Sequence, residues 1–396
     1  MRRIAANYVF PVASPPVKNG ILELEEDGRI TGIVDPGSNL REFRRMEFHN
    51  GILVPGFVNC HSHLELSGLK GKIPRGTGLA RFLRLLQKER SRVEEASARQ
   101  AMQDADRQMR REGIRVCGDV SNTGSSFPVK AESPLHYHTF VEVFGFTSRE
   151  IGQKYREAGL LLHQLKEEYG LPGDMVPHAG YSSDSRLMRR IRSSMDPERA
   201  ILSMHYREAS RREEFAIRTM ARFRHLSGKG KPGIWHWEGL SLRKLARVLK
   251  DYTGGLQLLL VHNRFAGTKD VDYASRTFTR PAWVFCPRSN LYIHEGLPDI
   301  PLFLRRGHTI ALGTDSLASN ESLSMLEELK VLQEHFPRIP FESMLSWATL
   351  QGAKALGVEQ NYGSFRPGGY PGVNLVKPFD FKQMRLLPES RVYPIS

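Results

Sequence analysis

The sequence predicts an α/β protein: a (β/α)8 barrel of the TIM type with a small β domain built from both chain ends. Three observations carry that expectation. From Ile52 onward, short apolar runs alternate with amphipathic, helix-like stretches eight times over, and eight βα alternations point to a closed parallel barrel. Side chains of the ligand and acid–base type recur just where those runs end, which is where barrel active sites form. Residues 1–50 and 358–396 read differently, as short strands punctuated by tight turns. The expected organisation is therefore 1–50 and 358–396 as the two halves of that β domain, around a barrel over 51–357. A doubly wound open sheet is the competing architecture, but no GxGxxG follows the first strand.

In chain order, Asn7 to Phe10, Gly20 to Leu24 and Arg29 to Val34 are the N-terminal strands, separated by Pro15-Pro16, Asp27-Gly28 and Pro36-Gly37. Barrel strands are expected over Ile52 to Val58, Arg115 to Gly118, His138 to Val143, Asp174 to Pro177, Ala200 to Met204, Leu256 to Val261, Ala282 to Phe285 and Thr309 to Leu312. Helices are expected over about Leu79 to Arg111, Ser148 to Tyr169, Asp184 to Ser194, Ser210 to His225 and Leu242 to Tyr252, then near Glu321 to Glu334 and Phe341 to Leu356. Gly363 to Phe365, Gly372 to Val376 and Arg391 to Tyr393 return to β character and complete the small sheet.

The formal charge of +14 raises nucleic acid or a membrane surface as a partner. The basic residues are scattered, however, and no run of five or six like charges occurs, so a solvated basic surface is the reading, and neither partner is expected. No apolar run nears the roughly 20 residues needed to span a bilayer. Cys60, Cys117 and Cys286 lie in apolar contexts without CxxC spacing. That argues for reduced, buried thiols and a cytoplasmic location. Asn7 and Pro11 interrupt the N-terminus, which does not read as a signal peptide. A homodimer is compatible with the reading.

The functional signal starts at Asn59-Cys60-His61-Ser62-His63. Along a strand alternate side chains share a face, so His61 and His63 point the same way, and two such imidazoles are half of a first-row metal site. An isolated HxH is a weak motif. Here His178, His205 with Glu208 three residues on, His262 and Asp315 each stand at or just past the end of a later apolar run. A lone buried histidine is ordinarily a core residue, and that reading is kept for His136, His138, His163, His225 and His308. It does not account for so many at equivalent positions.

With Pro55-Gly56-Phe57-Val58-Asn59-Cys60-His61-Ser62-His63, His205-Tyr206-Arg207-Glu208, His262, Cys286-Pro287-Arg288-Ser289-Asn290 and Gly313 to Asn320, the chain resembles the amidohydrolase superfamily, in its branch of deaminases and chlorohydrolases. The resemblance covers nearly the whole length and implies that the two chain ends, 1–50 and 358–396, form a composite β-sandwich. It implies His61, His63, His205 and Asp315 as ligands of one divalent metal, zinc with iron as the alternative. Some relatives hold two metals bridged by a carboxylated lysine; Asp174 to His178 contains no lysine, so one is expected.

The resemblance further implies hydrolytic deamination of an aminated ring. Asp315 takes a proton from metal-activated water, His262 orients that water, and Glu208, its pKa raised, relays protons to the ring nitrogen and the departing amine. Cys60 to Ser67 looks most like the aminodeoxyfutalosine deaminases of menaquinone biosynthesis, which act on an adenine nucleoside. Deaminases of methylthioadenosine, S-adenosylhomocysteine or adenosine are close alternatives, with guanine and triazine hydrolases behind them. Glu65 and His178 are then expected to contact ribose or base, and Asn290 and Arg288 to line the mouth. For Arg288 a structural ion pair is the competing expectation. The reading of another class is a non-catalytic, basic nucleic-acid-binding protein. The loop Leu226 to Leu240, with two tryptophans around His236, is either a lid or a packed corner.

Overall fold

The computed structural model describes residues 1–37, 46–145, 147–196, 198–227, 239–250, 256–279 and 281–395. The N-terminal strands are β1 (Arg2–Val9), β2 (Val17–Lys18), β3 (Ile21–Leu24), β4 (Ile30–Val34) and β5 (Met46–Pro55). β1 thus starts well before the Asn7 expected of it.

The strand expected over Ile52 to Val58 is two strands. β5 ends at Pro55 and β6 (Phe57–Ser62) begins a different sheet. Gly56 makes the break possible: a Cβ there would lie 2.3 Å from the Pro371 carbonyl oxygen and 2.3 Å from Arg115 Cγ. The outer sheet therefore takes the chain through Pro55, five residues past the expected boundary at 50.

The inner strands are β6, β7 (Ile114–Ser121), β8 (His136–Val143), β9 (Gly173–Pro177), β10 (Ile201–Tyr206), β11 (Gln257–His262), β12 (Pro281–Phe285) and β13 (Thr309–Leu312). They form two parallel four-stranded sheets, β6-β7-β8-β9 and β10-β11-β12-β13. The sheets meet at both edges. Beyond β9, Ala179 bridges His205, and the His205 N–H donates to the His178 carbonyl at 2.8 Å. At the other edge Ser62 bridges Asp315, and the Asp315 N–H donates to the His61 carbonyl at 3.0 Å. Every residue of β6 and of β10 is buried, as expected of parallel strands covered on both faces.

Helices lie between these strands. Thr147 and Glu150 form a reciprocal capping box on Ser148–Glu167. Asp184 accepts from the N–H groups of Arg186 and Leu187 to start Ser185–Ser193. The long helix expected from Leu79 to Arg111 is two, Leu79–Arg90 and Glu95–Arg111. Phe341 to Leu356 likewise divides into Phe341–Trp347 and Leu350–Ala355.

β14 (Val373–Asp380) and β15 (Arg385–Pro394) close the chain. They join the N-terminal strands in one seven-stranded sheet of order β15-β14-β5-β1-β3-β4, with β2 against β1. The sequence places a strand over Gly363 to Phe365; there is none, and the Phe365 N–H instead bonds the Pro11 carbonyl at 3.1 Å. Ile4, Val9, Leu22, Leu53, Val373 and Leu375 belong to a hydrophobic cluster of this sheet, separate from the large cluster around the parallel strands. Among the described residues no helix is long and apolar enough to cross a membrane. Of the loop Leu226 to Leu240, residues 228–238, with His236, lie outside the described residues.

Candidate active site

The C-terminal ends of β6, β10 and β11 and the turn after β13 converge on one cavity of about 220 Å³. His61 and His63 share a face of β6 as the alternation requires, with their Nε2 atoms 3.1 Å apart. Asp315 Oδ1 lies 3.6 Å from His63 Nε2 and 3.9 Å from His61 Nε2. Its other oxygen accepts from Ser289 Oγ at 2.6 Å and Ser319 Oγ at 2.8 Å, which orients Oδ1 toward the imidazoles. The His205 ring stands 4.9 Å from that of His61 and 5.0 Å from that of His262, centroid to centroid.

Three ligand-type sets overlap here, His61–His63–Asp315, His61–His205–His262 and His178–His205–Glu208, each with its donor atoms within 4.8 Å of one another. His61 Nδ1 and His205 Nε2 are buried without a hydrogen-bond partner, although burying a ring nitrogen unpaired is costly. A cation removes that cost for His205, and three imidazoles with one carboxylate are the donor set such an ion takes. Burial pushes the His61 imidazole well below its ordinary pKa, and the neighbouring imidazoles add to that. It is neutral, as a ligand must be.

Backbone geometry marks the same place. His262, Asn263, Asp315 and Arg207 have φ of +73°, +57°, +57° and +48°. Non-glycine residues in that left-handed region are strained, and such strain clusters at functional sites.

Glu208 sits beneath the cavity, 6% exposed. Tyr181 donates its hydroxyl to Oε1, while Oε2 lies 3.3 Å from His205 Nδ1 and 3.5 Å from His262 Nε2. The expectation of a raised pKa for Glu208 is reversed in this arrangement. Burial works against its charge, but His205, His262 and His178 outweigh burial and hold the carboxyl well below the usual range. For His205 in the metal-free protein, burial opposes the cation and Glu208 overrides it, lifting the imidazole to about 9, so that an ion bound through His205 displaces this proton. Burial carries His262 down to about 4.

The residues expected to touch substrate divide. His178 lines the cavity, its ring 4.9 Å from that of His205 and its Nδ1 2.6 Å from Ser182 Oγ. Glu65 is not among the described residues lining it. Its oxygens accept from the Asn122 and Thr123 N–H groups, from Thr123 Oγ1 and from Arg90, so it ties down the loop after β7. Arg288 pairs with Glu321 at 2.9 Å and donates to Ser322, the ion pair anticipated as its other reading. Asn290 is buried with Oδ1 unpaired, and neither it nor Arg288 is among the described lining residues.

Tyr181, Glu142 and Asn122 do line the cavity and were not singled out from sequence. Glu142 had a legible signal, an acid at the C-terminal end of a predicted strand. Opposite the polar groups, Leu79, Phe82, Leu83 and Leu86, on one face of Leu79–Arg90, form an apolar wall with Ile217 and Met220.

The amidohydrolase family profile matches residues 52–389. The chain is 26% identical over 383 residues to a 5-methylthioadenosine/S-adenosylhomocysteine deaminase of Teredinibacter turnerae, covering 92% of this chain and 81% of the relative. The crystal structure of Helicobacter pylori aminofutalosine deaminase in complex with methylthio-coformycin superposes with a TM-score of 0.76 at 22% identity, over 97% of this chain and 94% of that one. A Xanthomonas campestris adenosine deaminase with bound zinc does so with a TM-score of 0.72 at 20% identity, over 94% and 84%.

Proposed function

The chain belongs to the amidohydrolase family and is a hydrolase of carbon–nitrogen bonds; from that premise we propose that it removes the 6-amino group of an adenine nucleoside as ammonia. The observation that carries the reading is the placement of Glu208 with His63, His205, His262 and Asp315 around one cavity, with His61 Nε2 3.1 Å from that of His63. A binding protein has no use for an acid held between a tyrosine hydroxyl and two imidazoles.

His61, His63, His205 and Asp315 would hold one divalent cation, zinc by the donor set, with iron as the alternative. That ion supplies Lewis acidity, which makes water a nucleophile near neutral pH. Glu208 Oε2 is the atom that takes and returns the proton: Tyr181 occupies Oε1, and Oε2 remains turned toward His205 and His262. From there it delivers one proton of the water to the purine N1, which keeps it in the 6-oxo product; the second, taken up by Asp315 as the C6 hydroxyl becomes the carbonyl, passes to the amine, which leaves as ammonia. His262 orients the attacking water. Ser289 and Ser319 keep Asp315 from rotating, and His178 contacts the nucleoside.

The apolar wall of Leu79–Arg90 suits a 5′ substituent with an apolar portion, and relatives are named for methylthioadenosine, S-adenosylhomocysteine and aminofutalosine. Among these, aminodeoxyfutalosine, a precursor in menaquinone biosynthesis, is the proposed physiological substrate. The two parallel sheets act as one barrel, and the seven-stranded sheet as the sandwich domain that supports it, with the boundaries 1–50, 51–357 and 358–396 adjusted at the first junction to Gly56.

The test is a spectrophotometric screen of adenosine, methylthioadenosine, S-adenosylhomocysteine and aminodeoxyfutalosine for the adenine-to-hypoxanthine absorbance change. Silence on all four removes the purine reading. In the same assay Glu208→Gln is expected to retain its metal and lose at least about 100-fold in kcat, the usual scale for a positioned proton donor. Full activity in that variant refutes the shuttle.

A further inference from the structure

Three carboxylates line the cavity, Asp315, Glu208 and Glu142. The first two are saturated. Asp315 is held by Ser289 and Ser319 on one oxygen and faces His61 and His63 with the other. Glu208 is taken up by Tyr181, His205 and His262. Glu142, at the end of β8, has a different environment. Asn122 Nδ2 donates to its Oε2 at 3.0 Å, and among the described residues Oε1 accepts no hydrogen bond and no lysine or arginine pairs with the group.

A carboxyl oxygen that no donor reaches is an open acceptor. Anchored through one oxygen and open at the other, Glu142 calls for a ligand that brings O–H or N–H donors into the cavity. The uncharged part of a nucleoside with two adjacent donors is its sugar, whose vicinal hydroxyls match the two oxygens of a carboxylate. The residue expected to do this, Glu65, has both oxygens engaged by the Asn122–Thr123 loop. That loop presents the Asn122 side chain to Glu142, so Glu65 supports the contact from behind.

We propose that Glu142 binds the 2′- and 3′-hydroxyls of the substrate's ribose and makes the enzyme selective for ribosyl over deoxyribosyl nucleosides. The inference rests on the nucleoside reading above. It also restricts the substrate: an acidic substituent must point away from Glu142, because like charges in a buried site repel strongly.

The experiment compares the nucleoside turned over in the screen with its 2′-deoxy counterpart, on metal-loaded wild type, Glu142→Gln and Glu142→Ala. Calorimetric binding of inosine and 2′-deoxyinosine accompanies the kinetics. Wild type is expected to favour the ribosyl substrate by about 10- to 100-fold in kcat/KM, the usual worth of a hydrogen bond to a charged group. Both variants are expected to lose most of that preference, through a KM that rises more for the ribosyl substrate than for the 2′-deoxy one, while bound metal and Tm stay near wild type, which shows that the site is intact. Equal treatment of the two sugars by wild type overturns the assignment without recourse to any variant. So does an unchanged preference in both variants, and the deaminase reading then survives. If wild type neither binds nor converts any nucleoside, that reading fails, and this inference with it.

Discussion

His262 and Asp315 hold left-handed backbone conformations, φ +73° and +57°, at a cost of about 1–2 kcal/mol each for an L-residue. The surrounding bonds enforce them. Asn320 Nδ2 donates to the Thr314 carbonyl at 2.9 Å and to Glu328 Oε1 at 2.9 Å, and the Arg288 N–H donates to Glu328 Oε2 at 2.9 Å. On the opposite side Lys130 and Asp119, both fully buried, pair at 2.6 Å, and Asp119 accepts the Leu64 N–H at 2.7 Å, fixing the residue after His63. Glu328 offers a pH test. Burial pushes its carboxyl up to about 8 from an ordinary 4.5. Between those values the folded protein binds more protons than the unfolded chain, so stability falls as pH rises. The contribution is fully present below about pH 4.5 and is lost as pH climbs through about 8. It is worth on the order of a few kcal/mol. Glu328→Gln is expected to flatten the decline of Tm between about pH 5.5 and pH 8.5. A slope equal to that of wild type would count against the assignment.

At the level of elements, the site depends on how closely β13 lies against β6. A Cβ on Gly313 would meet His61 Cβ at 2.7 Å and the His61 carbonyl oxygen at 2.9 Å. Asn59 and Thr314 fasten the same junction, through Asn59 Nδ2 to Thr314 Oγ1 at 2.8 Å and the Thr314 N–H to Asn59 Oδ1 at 3.1 Å. Gly313→Ala is therefore expected to destabilise the protein by about 1–3 kcal/mol and to lower the metal bound per chain, by spreading Asp315 from His61. Thermal melts and metal analysis check this, and an alanine variant equal to wild type in both shows the junction to be slack. The helix expected over Leu79 to Arg111 illustrates the limit of periodicity. Both parts are amphipathic, but Phe82 and Leu79 face the cavity cluster whereas Met102, Ala105 and Met109 join the main core. The break between them follows from those two destinations, and Glu213 Oε1 accepts the Leu79 N–H at 2.8 Å to start the first helix.

For the whole molecule, the proposed ligands come from both parallel sheets, His61 and His63 from β6 and His205 from β10, with Asp315 beyond β13. A cation bound there ties the sheets together in the folded state alone. Its removal should cost about 3–4 kcal/mol where free metal exceeds its dissociation constant by 100- to 1,000-fold. Chelated protein is expected to melt measurably lower than protein reconstituted with zinc, by calorimetry. Identical melting would mean that the four groups do not converge on an ion. The three free cysteines take no part in this: Cys60, Cys117 and Cys286 are buried, and burial raises their thiols, which leaves them unreactive.

Local pattern was enough to place the alternating strands and helices and the ligand-type residues at strand ends. Strand alternation puts His61 and His63 on one face whatever the rest of the chain does, and apolar runs mark their own ends. Packing decided which oxygens and nitrogens stay free. Glu65 and Glu142 are alike as letters, yet Thr123 and Arg90 consume the first, whereas Asn122 leaves the second half open. The low pKa of Glu208 and the split at Gly56 have the same origin, in neighbours such as His262 and Pro371 brought close only by folding. Hydrogen-bond saturation and steric exclusion depend on atoms distant in the chain, so no local window of sequence contains them.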